Sequence, residues 1–266
     1  MINMIQGRLL HEESSGNNVN YNLAIEHSLI TIQSHKSSNF IIRFWRNQKS
    51  VILGRNQDLD SEIDIDYCSK NNIEISRRIS GGGTVYQDLG NLNISFIFNK
   101  NILPNNLSNI SDITAYFTDF IIESLKYYGL ENIKRMGSSN ILHNNSKISG
   151  SSGYNKKNSI LHHLTLLINV NLTNLENSLL AHPGYEAKKG RESHFYETSN
   201  LPNNFNVNRW KSILISMLEK EYNIQFIKSD LVESEKKYAK NLEKNMYNSE
   251  NWIIRQHRMD EFDFKI

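Results

Sequence analysis

Arg77-Arg78-Ile79-Ser80-Gly81-Gly82-Gly83-Thr84-Val85-Tyr86-Gln87-Asp88-Leu89-Gly90-Asn91 is the most specific stretch of this chain. Three consecutive glycines break regular structure between residues 74–77 and 84–86, both of which read as strands. Without a Cβ the backbone can approach a ligand closely, and successive free N–H groups can form an anion-binding nest. Arg78 beside them offers a planar fork suited to phosphate or carboxylate. By themselves the glycines fit a flexible hairpin loop between solvated arginines. The Arg-Arg before them and the Asp-Leu-Gly-Asn after them favour a ligand loop. The pattern is neither the GxGxxG of a dinucleotide fold nor the GxxxxGK[ST] of a P-loop.

Outward from this loop, short strands dominate. Residues 7–11, 40–45 and 50–53 precede it, the last two flanking a polar Arg46-Asn47-Gln48-Lys49 turn. Residues 93–98, 133–136, 140–143, 147–149 and 162–169 follow it. Helices are set between groups of strands. One starts at Asn20 as cap and carries Leu23, Ala24, Ile25, Leu29 and Ile32. Residues 64–70 make a short helix. The clearest helix spans 111–129, with Ile113, Phe117, Phe120, Ile121, Leu125 and Tyr128 on one face and Gly129 as its stop. Asn208 is the expected cap of a helix carrying Trp210, Leu214 and Leu218, and a charged helix is expected over 230–247. No repeat recurs. The pattern predicts an α+β fold with mixed, largely antiparallel sheets flanked by helices, in one domain over 1–266.

The bulk numbers exclude several classes. At 266 residues with 38% apolar and 22% charged residues, the chain can bury a substantial core. A net charge of +2 with both signs dispersed argues against a tail-driven nucleic-acid binder. Lys188, Lys189 and Arg191 form the one local basic cluster, read as a solvated loop or an acceptor-docking edge. A single cysteine excludes an internal disulfide. No secretion signal and no apolar run of about 18 residues occurs, so a cytoplasmic protein without a membrane partner is expected.

Two further segments carry chemistry. In Ser146-Lys147-Ile148-Ser149-Gly150-Ser151-Ser152-Gly153, a lysine at a strand's end precedes a Gly/Ser-rich loop. Its compact ammonium suits a phosphate or a developing oxyanion, although an isolated lysine of this kind is usually a surface residue. In Leu161-His162-His163-Leu164-Thr165, neighbouring strand residues point to opposite faces. A structural or hydrogen-bonding role for the histidines therefore outweighs a zinc site.

These three segments, in this order, resemble the lipoate–protein ligase A family of the biotin/lipoate ligase fold. Asn22-Leu23-Ala24-Ile25-Glu26 is similar to the family's first-helix signature. Arg43-Phe44-Trp45-Arg46-Asn47-Gln48 and Val51-Ile52-Leu53-Gly54-Arg55-Asn56-Gln57 resemble its second. Lys147-Ile148-Ser149-Gly150-Ser151 matches the segment with the family's invariant lysine. Tyr247-Asn248-Ser249-Glu250-Asn251-Trp252 resembles the motif that closes the large catalytic domain. The resemblance covers about 7–252. Gln87 stands where many relatives have His, Leu164 where bacterial relatives have Gly, and Phe195 and Glu197 at positions often basic in them.

The resemblance implies a two-step ligase. Lipoate and ATP, with Mg²⁺, form lipoyl-adenylate and pyrophosphate. The lipoyl group then passes to a lysine of a lipoyl domain, on a 2-oxoacid dehydrogenase E2 or a glycine cleavage H protein. It implies Lys147 as the catalytic cation. Arg78, Ser80, Gly81, Gly82, Gly83, Asn91, Ser149, Gly150, His163 and Thr165 would bind lipoate and ATP. Leu23, Glu26, Trp45 and Val85 would line the acyl pocket, with Asp88 as a metal ligand. It also implies the archaeal-type form, in which the C-terminal accessory domain is a separate small protein. The rivals are an octanoyl or lipoyl transferase of the same fold, which would need Cys68 as nucleophile, a biotin ligase, whose GRGRxG-type loop is absent, and a non-catalytic lipoyl-domain binder.

Overall fold

A computed structural model describes residues 5–12, 18–33, 40–104, 107, 109–182 and 193–254. Lys188, Lys189 and Arg191 lie outside the described residues. In chain order the elements are β1 (Ile5–Glu12), α1 (Val19–Gln33), β2 (Ile41–Trp45), β3 (Ser50–Leu53), α2 (Leu59–Glu62), α3 (Ile65–Lys70), β4 (Glu74–Arg77), β5 (Val85–Gln87) and β6 (Asn91–Asn99). Then come α4 (Ile110–Tyr128), β7 (Ile133–Met136), β8 (Asn140–His143), β9 (Ser146–Lys156), β10 (Ser159–Leu167), α5 (Leu172–Ser178), α6 (Val207–Tyr222), β11 (Ile224–Lys228), α7 (Glu233–Leu242) and α8 (Glu250–Ile253).

The strands form an eight-stranded sheet, β11-β1-β2-β6-β10-β9-β8-β7, and a three-stranded sheet, β4-β3-β5. Pairing is antiparallel except for β1 with β11, β1 with β2, and β3 with β4. This is the mixed, largely antiparallel α+β arrangement that the pattern predicts.

Period-2 alternation on the central strands feeds two cores. Ile42 and Phe44 of β2, with Ile94, Phe96 and Phe98 of β6, pack against Phe117 and Ile121 of α4 and Trp210 and Leu214 of α6. Ile41 and Trp45 of β2 and Ile97 of β6 face the other way, onto Leu23, Ala24 and Leu29 of α1 and Ala239 and Leu242 of α7. A third cluster, with Val51, Leu53, Cys68 and Tyr86, lies under the small sheet. Among the described residues no helix is long and apolar enough to cross a membrane.

Four local expectations need correction, and the turn over 46–49 joins strands that do not pair: β2 and β3 belong to different sheets. Both strands are buried along their whole length, and each finds its own flanking strands. Asn20 lies within α1 and bonds Ser76 and Asn248, while Asn18 Oδ1 accepts the Tyr21 N–H. Likewise Asn206, not Asn208, caps α6. The charged helix starts later, at Glu233, where Glu235 accepts the Val232 N–H and pairs with Arg8. It ends in a π-helical turn, Glu243–Tyr247.

The fourth correction bears on the site. Residues 150–153 are not a loop. They continue β9, in full register with β10: Gly150 faces Thr165, Ser152 faces His163 and Gly153 faces His162. The small residues make room instead. A Cβ on Gly153 would lie 2.7 Å from Ile110 of α4, and one on Gly150 would lie 3.2 Å from Lys147 Cε.

Candidate active site

Where the two sheets meet, a cavity of about 240 Å³ opens between the glycine loop, α1, and β9 with β10. A second, of about 280 Å³, adjoins it below residues 193–198. The first lobe is walled by Leu23, Trp45, Ile52 and Val85, with Glu26, Arg78, Gln87, Asn93, Ser152 and His163 among its polar groups. The second is walled by Tyr86, Leu167, Leu175, Leu179 and Phe195. Lys147, Thr84, Val85, Gly150, Thr165, Ser193, His194 and Tyr196 border both.

Lys147, the second residue of β9, is held by its backbone. Its N–H donates to Glu197 O at 2.7 Å, and its carbonyl accepts from Ser199 N at 3.0 Å. The side chain lies over Gly150, with Nζ 4.9 Å from the Tyr196 ring centre. Among the described residues it has no carboxylate partner. Burial, and next the Arg78 charge, push its ammonium down to about 8.

Arg78, anticipated as a fork for phosphate or carboxylate, lines the first lobe and is engaged by the glycine loop itself. Its Nη2 donates to Gly81 O at 2.6 Å and Gly83 O at 2.8 Å, its Nη1 to Ile52 O at 3.1 Å, and its Nε to Ser80 Oγ at 3.0 Å. The guanidinium thus braces the glycine loop from inside. Its neutral acceptors leave the positive charge to act on the cavity, and burial lowers its pKa to about 10. Gly82 sits at φ +84°, in the left-handed region that favours glycine. Gly54 completes the fit, since a Cβ there would lie 2.0 Å from Gly82 O. Among the described residues the N–H groups of Gly82 and Gly83 have no protein acceptor.

Behind the loop runs a buried relay. Trp45 Nε1 donates to Ser95 Oγ at 2.8 Å, and Ser95 donates to Glu26 Oε1 at 2.6 Å. His163 Nδ1 sits 3.0 Å from Glu26 Oε1, and its Nε2 2.6 Å from Ser80 Oγ. Since Arg78 donates to Ser80 Oγ, the arrangement that uses every proton has Ser80 donating to Nε2 and Nδ1–H donating to Glu26. Burial raises the Glu26 carboxyl, but His163, Ser95 and Arg43 together outweigh it and hold it below its ordinary value. Ser80 is fully buried, so despite its triad-like geometry it is no exposed nucleophile. His162 points the other way, stacked between Phe96 and Phe117.

Of the remaining anticipated residues, Ser149 reaches the second lobe, while Ser80, Gly81 and Asn91 line neither. Asn91 is fully buried and donates to Asn93 Oδ1. Asp88 is the anticipated metal ligand. Its carboxylate lies outside both lobes and is engaged by Gly90 N, Asn171 N and the Tyr86 hydroxyl. No cluster of three metal-ligating groups exists among the described residues. Cys68 is buried under the small sheet, away from both lobes, and burial followed by Asp64 pushes its thiol up to about 11.

Sequence reasoning did not find the latch on the loop. Ser193 N donates to Glu62 Oε1 at 2.8 Å, and its hydroxyl bonds Glu62 Oε2. The same hydroxyl accepts from Thr84 N and Gln57 Nε2. Glu62 and Ser193 stand 131 positions apart, so no local signal joins them. Tyr196 was equally hidden; only its closeness to the lysine segment in space reveals it.

The family model of the lipoyl protein ligase A/B catalytic domain matches residues 18–217. The chain belongs to this family. Lipoate–protein ligase 1 of Staphylococcus aureus is 32% identical over 218 residues, covering 79% of this chain and 64% of that relative. The bi-partite lipoate protein ligase of Thermoplasma acidophilum, described with its E2 lipoyl domain, superposes with a TM-score of 0.78 at 25% identity, over 94% of this chain and 96% of that one. A lipoate–protein ligase A bound with ATP gives 0.78 at 27%, over 93% and 98%. A Thermoplasma acidophilum ligase with bound lipoic acid gives 0.75 at 27%, over 94% and 100%.

Proposed function

We propose that this family member activates lipoate with ATP to lipoyl-AMP and passes the lipoyl group to a lysine of a lipoyl domain. In the first step a lipoate carboxylate oxygen bonds to the α-phosphorus of ATP and pyrophosphate leaves. In the second the acceptor amine attacks the acyl carbon, AMP leaves, and an amide forms. The observation that carries this reading is that Lys147 borders both lobes, at their junction. An apolar acyl tail fits the first lobe and a nucleotide the second, so acyl carboxylate and α-phosphate meet at that ammonium. Lys147 stabilises the negative charge that develops there. The free amides of Gly82 and Gly83, on the first-lobe side of Lys147, face the oxygens where the acyl carboxylate joins the α-phosphate, and the braced Arg78 adds positive field. The relatives bound with ATP and with lipoic acid support the two substrates.

Mg²⁺ enters this reading with the nucleotide. Held mainly by phosphate oxygens and water, it needs no cage of protein carboxylates. The transferase alternative loses its nucleophile in the buried, high-pKa Cys68. By likeness to the bi-partite Thermoplasma acidophilum ligase we further propose a lipoyl-domain acceptor and a separate small subunit that promotes the full reaction.

The test incubates the chain with lipoate, Mg-ATP and a lipoyl domain, with and without such a subunit. Pyrophosphate and acceptor mass are measured separately. Lipoate-dependent pyrophosphate release is expected, with acceptor lipoylation stimulated by the subunit. Absence of lipoate-dependent pyrophosphate under every condition overturns the ligase reading.

A further inference from the structure

The polar side of the first lobe has a direction that its chemistry dictates. Arg43, fully buried on β2, carries donors and no acceptor. Its Nη1 donates to Asn22 O at 3.0 Å and its Nη2 to Asn22 Oδ1 at 2.7 Å. The Asn22 amide is thereby fixed, and its Nδ2 donates to Asn47 Oδ1 at 2.8 Å. Asn47 Nδ2 in turn donates to Gln87 Oε1 at 2.8 Å. A second branch arrives from β6: Asn91 Nδ2 donates to Asn93 Oδ1, and Asn93 Nδ2 donates to Gln87 Oε1, both at 3.0 Å.

Both branches end on one oxygen. Gln87 Oε1 takes two donors, so its amide cannot turn over without losing both bonds and setting N–H against N–H. Its –NH₂ has no acceptor among the described residues, although the residue is only 4% exposed. Gln87 lines the first lobe and not the second, which places it on the acyl side of Lys147. A donor facing the lobe loses its water when a ligand fills that space, which is costly unless the ligand offers an acceptor, and a chain of hydrogen bonds polarises its terminal donor. Beside the apolar walls Leu23, Trp45, Ile52 and Val85, and among the other polar groups of the lobe, Gln87 therefore presents a strengthened N–H to whatever fills it.

We infer that Gln87 reads the acyl tail, its amide donating to a sulfur of the dithiolane ring. This rests on the acyl assignment of the first lobe given above. Divalent sulfur is a weak acceptor, but it is the sole acceptor on the tail. A tail of the same shape without sulfur leaves the donor unmet, and a site built around a hydrogen bond discriminates against a ligand lacking it. A neutral imidazole also carries one acceptor and one donor. His at position 87 can therefore take the Asn47 bond and still present an N–H, whereas Leu can do neither.

The experiment compares kcat/KM for pyrophosphate release with lipoate and with 5-cyclopentylpentanoate, its carbocyclic isostere, in the wild type, Gln87→Leu and Gln87→His. The wild type is expected to prefer lipoate on the order of tenfold. Gln87→Leu should bring the two acids within about twofold, and Gln87→His should restore the preference. Equal use of both acids by the wild type overturns the inference, and this outcome stands even if Gln87→Leu does not fold. An undiminished preference in a folded Gln87→Leu overturns it as well. Pyrophosphate release with neither acid removes the ligase reading and this inference with it; release with both at equal efficiency removes the inference alone.

Discussion

Two stretches of this chain look alike on paper and behave differently. Ser80-Gly81-Gly82-Gly83 is a true loop, with Gly82 at φ +84° and its carbonyls held by the buried Arg78. Ser149-Gly150-Ser151-Ser152-Gly153 is ordinary β-strand, paired residue for residue with β10. In the first, glycine supplies conformation and bare amides. In the second it supplies space, for the Lys147 side chain over Gly150 and for α4 over Gly153. The two stretches face each other across the cavity, and Ser152 Oγ donates to Gly81 O at 2.9 Å. One side presents amides on a braced loop. The other presents a cation on a rigid ladder.

The largest expected effect separates these roles. Lys147→Ala should lower pyrophosphate release by about 10²–10³ while thermal unfolding stays near the wild type, because the ladder bonds of β9 remain. Near-normal release from a folded Lys147→Ala protein breaks the comparison at its strand side. The pH dependence sharpens it. A lysine held near 8 is cationic below that pH and neutral above it, so kcat/KM for adenylation should fall about tenfold per unit above pH 8. Arg78, lowered only to about 10, still holds its charge there, so the loop remains braced. A flat pH profile up to 9.5 contradicts a cationic role for Lys147.

Arg78→Ala should show the opposite split. Loop carbonyls lose their donor, at a cost of about 2 kcal/mol of stability, seen as a melting point lower by several degrees, with a raised requirement for ATP or lipoate. Unchanged melting temperature and binding would make Arg78 a dispensable side chain. Cys68→Ser, outside both stretches, should leave turnover of the folded protein within about twofold of the wild type, since a thiol buried away from the lobes contributes no chemistry. An inactive but folded Cys68→Ser protein would revive a cysteine transferase.

Much of the fold was legible because it is written locally. Strands β4, β7 and β8 and helix α4 with its Gly129 stop follow from period and punctuation. What was misread has one cause: local composition does not reveal neighbours. The polar turn over 46–49 gives no sign that the strands on either side of it pair in separate sheets. Strand β11, too short and polar to stand out, exists because β1 offers it a parallel edge.

The site divides the same way. The sequence by itself determined the chemical inventory: three glycines that admit a close backbone, a lysine and an arginine for charge, and apolar residues for a tail. It also determined the alternation Asn91-Leu92-Asn93-Ile94-Ser95-Phe96, which sends amides and hydroxyl to one face of β6 and the core to the other. Only the tertiary structure decided what each group does. Adjacent Arg77 and Arg78 diverge at the end of β4. Arg77 clasps the carbonyls of Trp252 and Ile253, and Arg78 braces the loop. Ser193 reaches Glu62 across 131 positions, and Asn22, Asn47 and Gln87 align into one chain of donors. A side chain's type sets which hydrogen bonds and charges it can offer, but its partner is set by which elements pack together, and burial makes that choice costly to reverse.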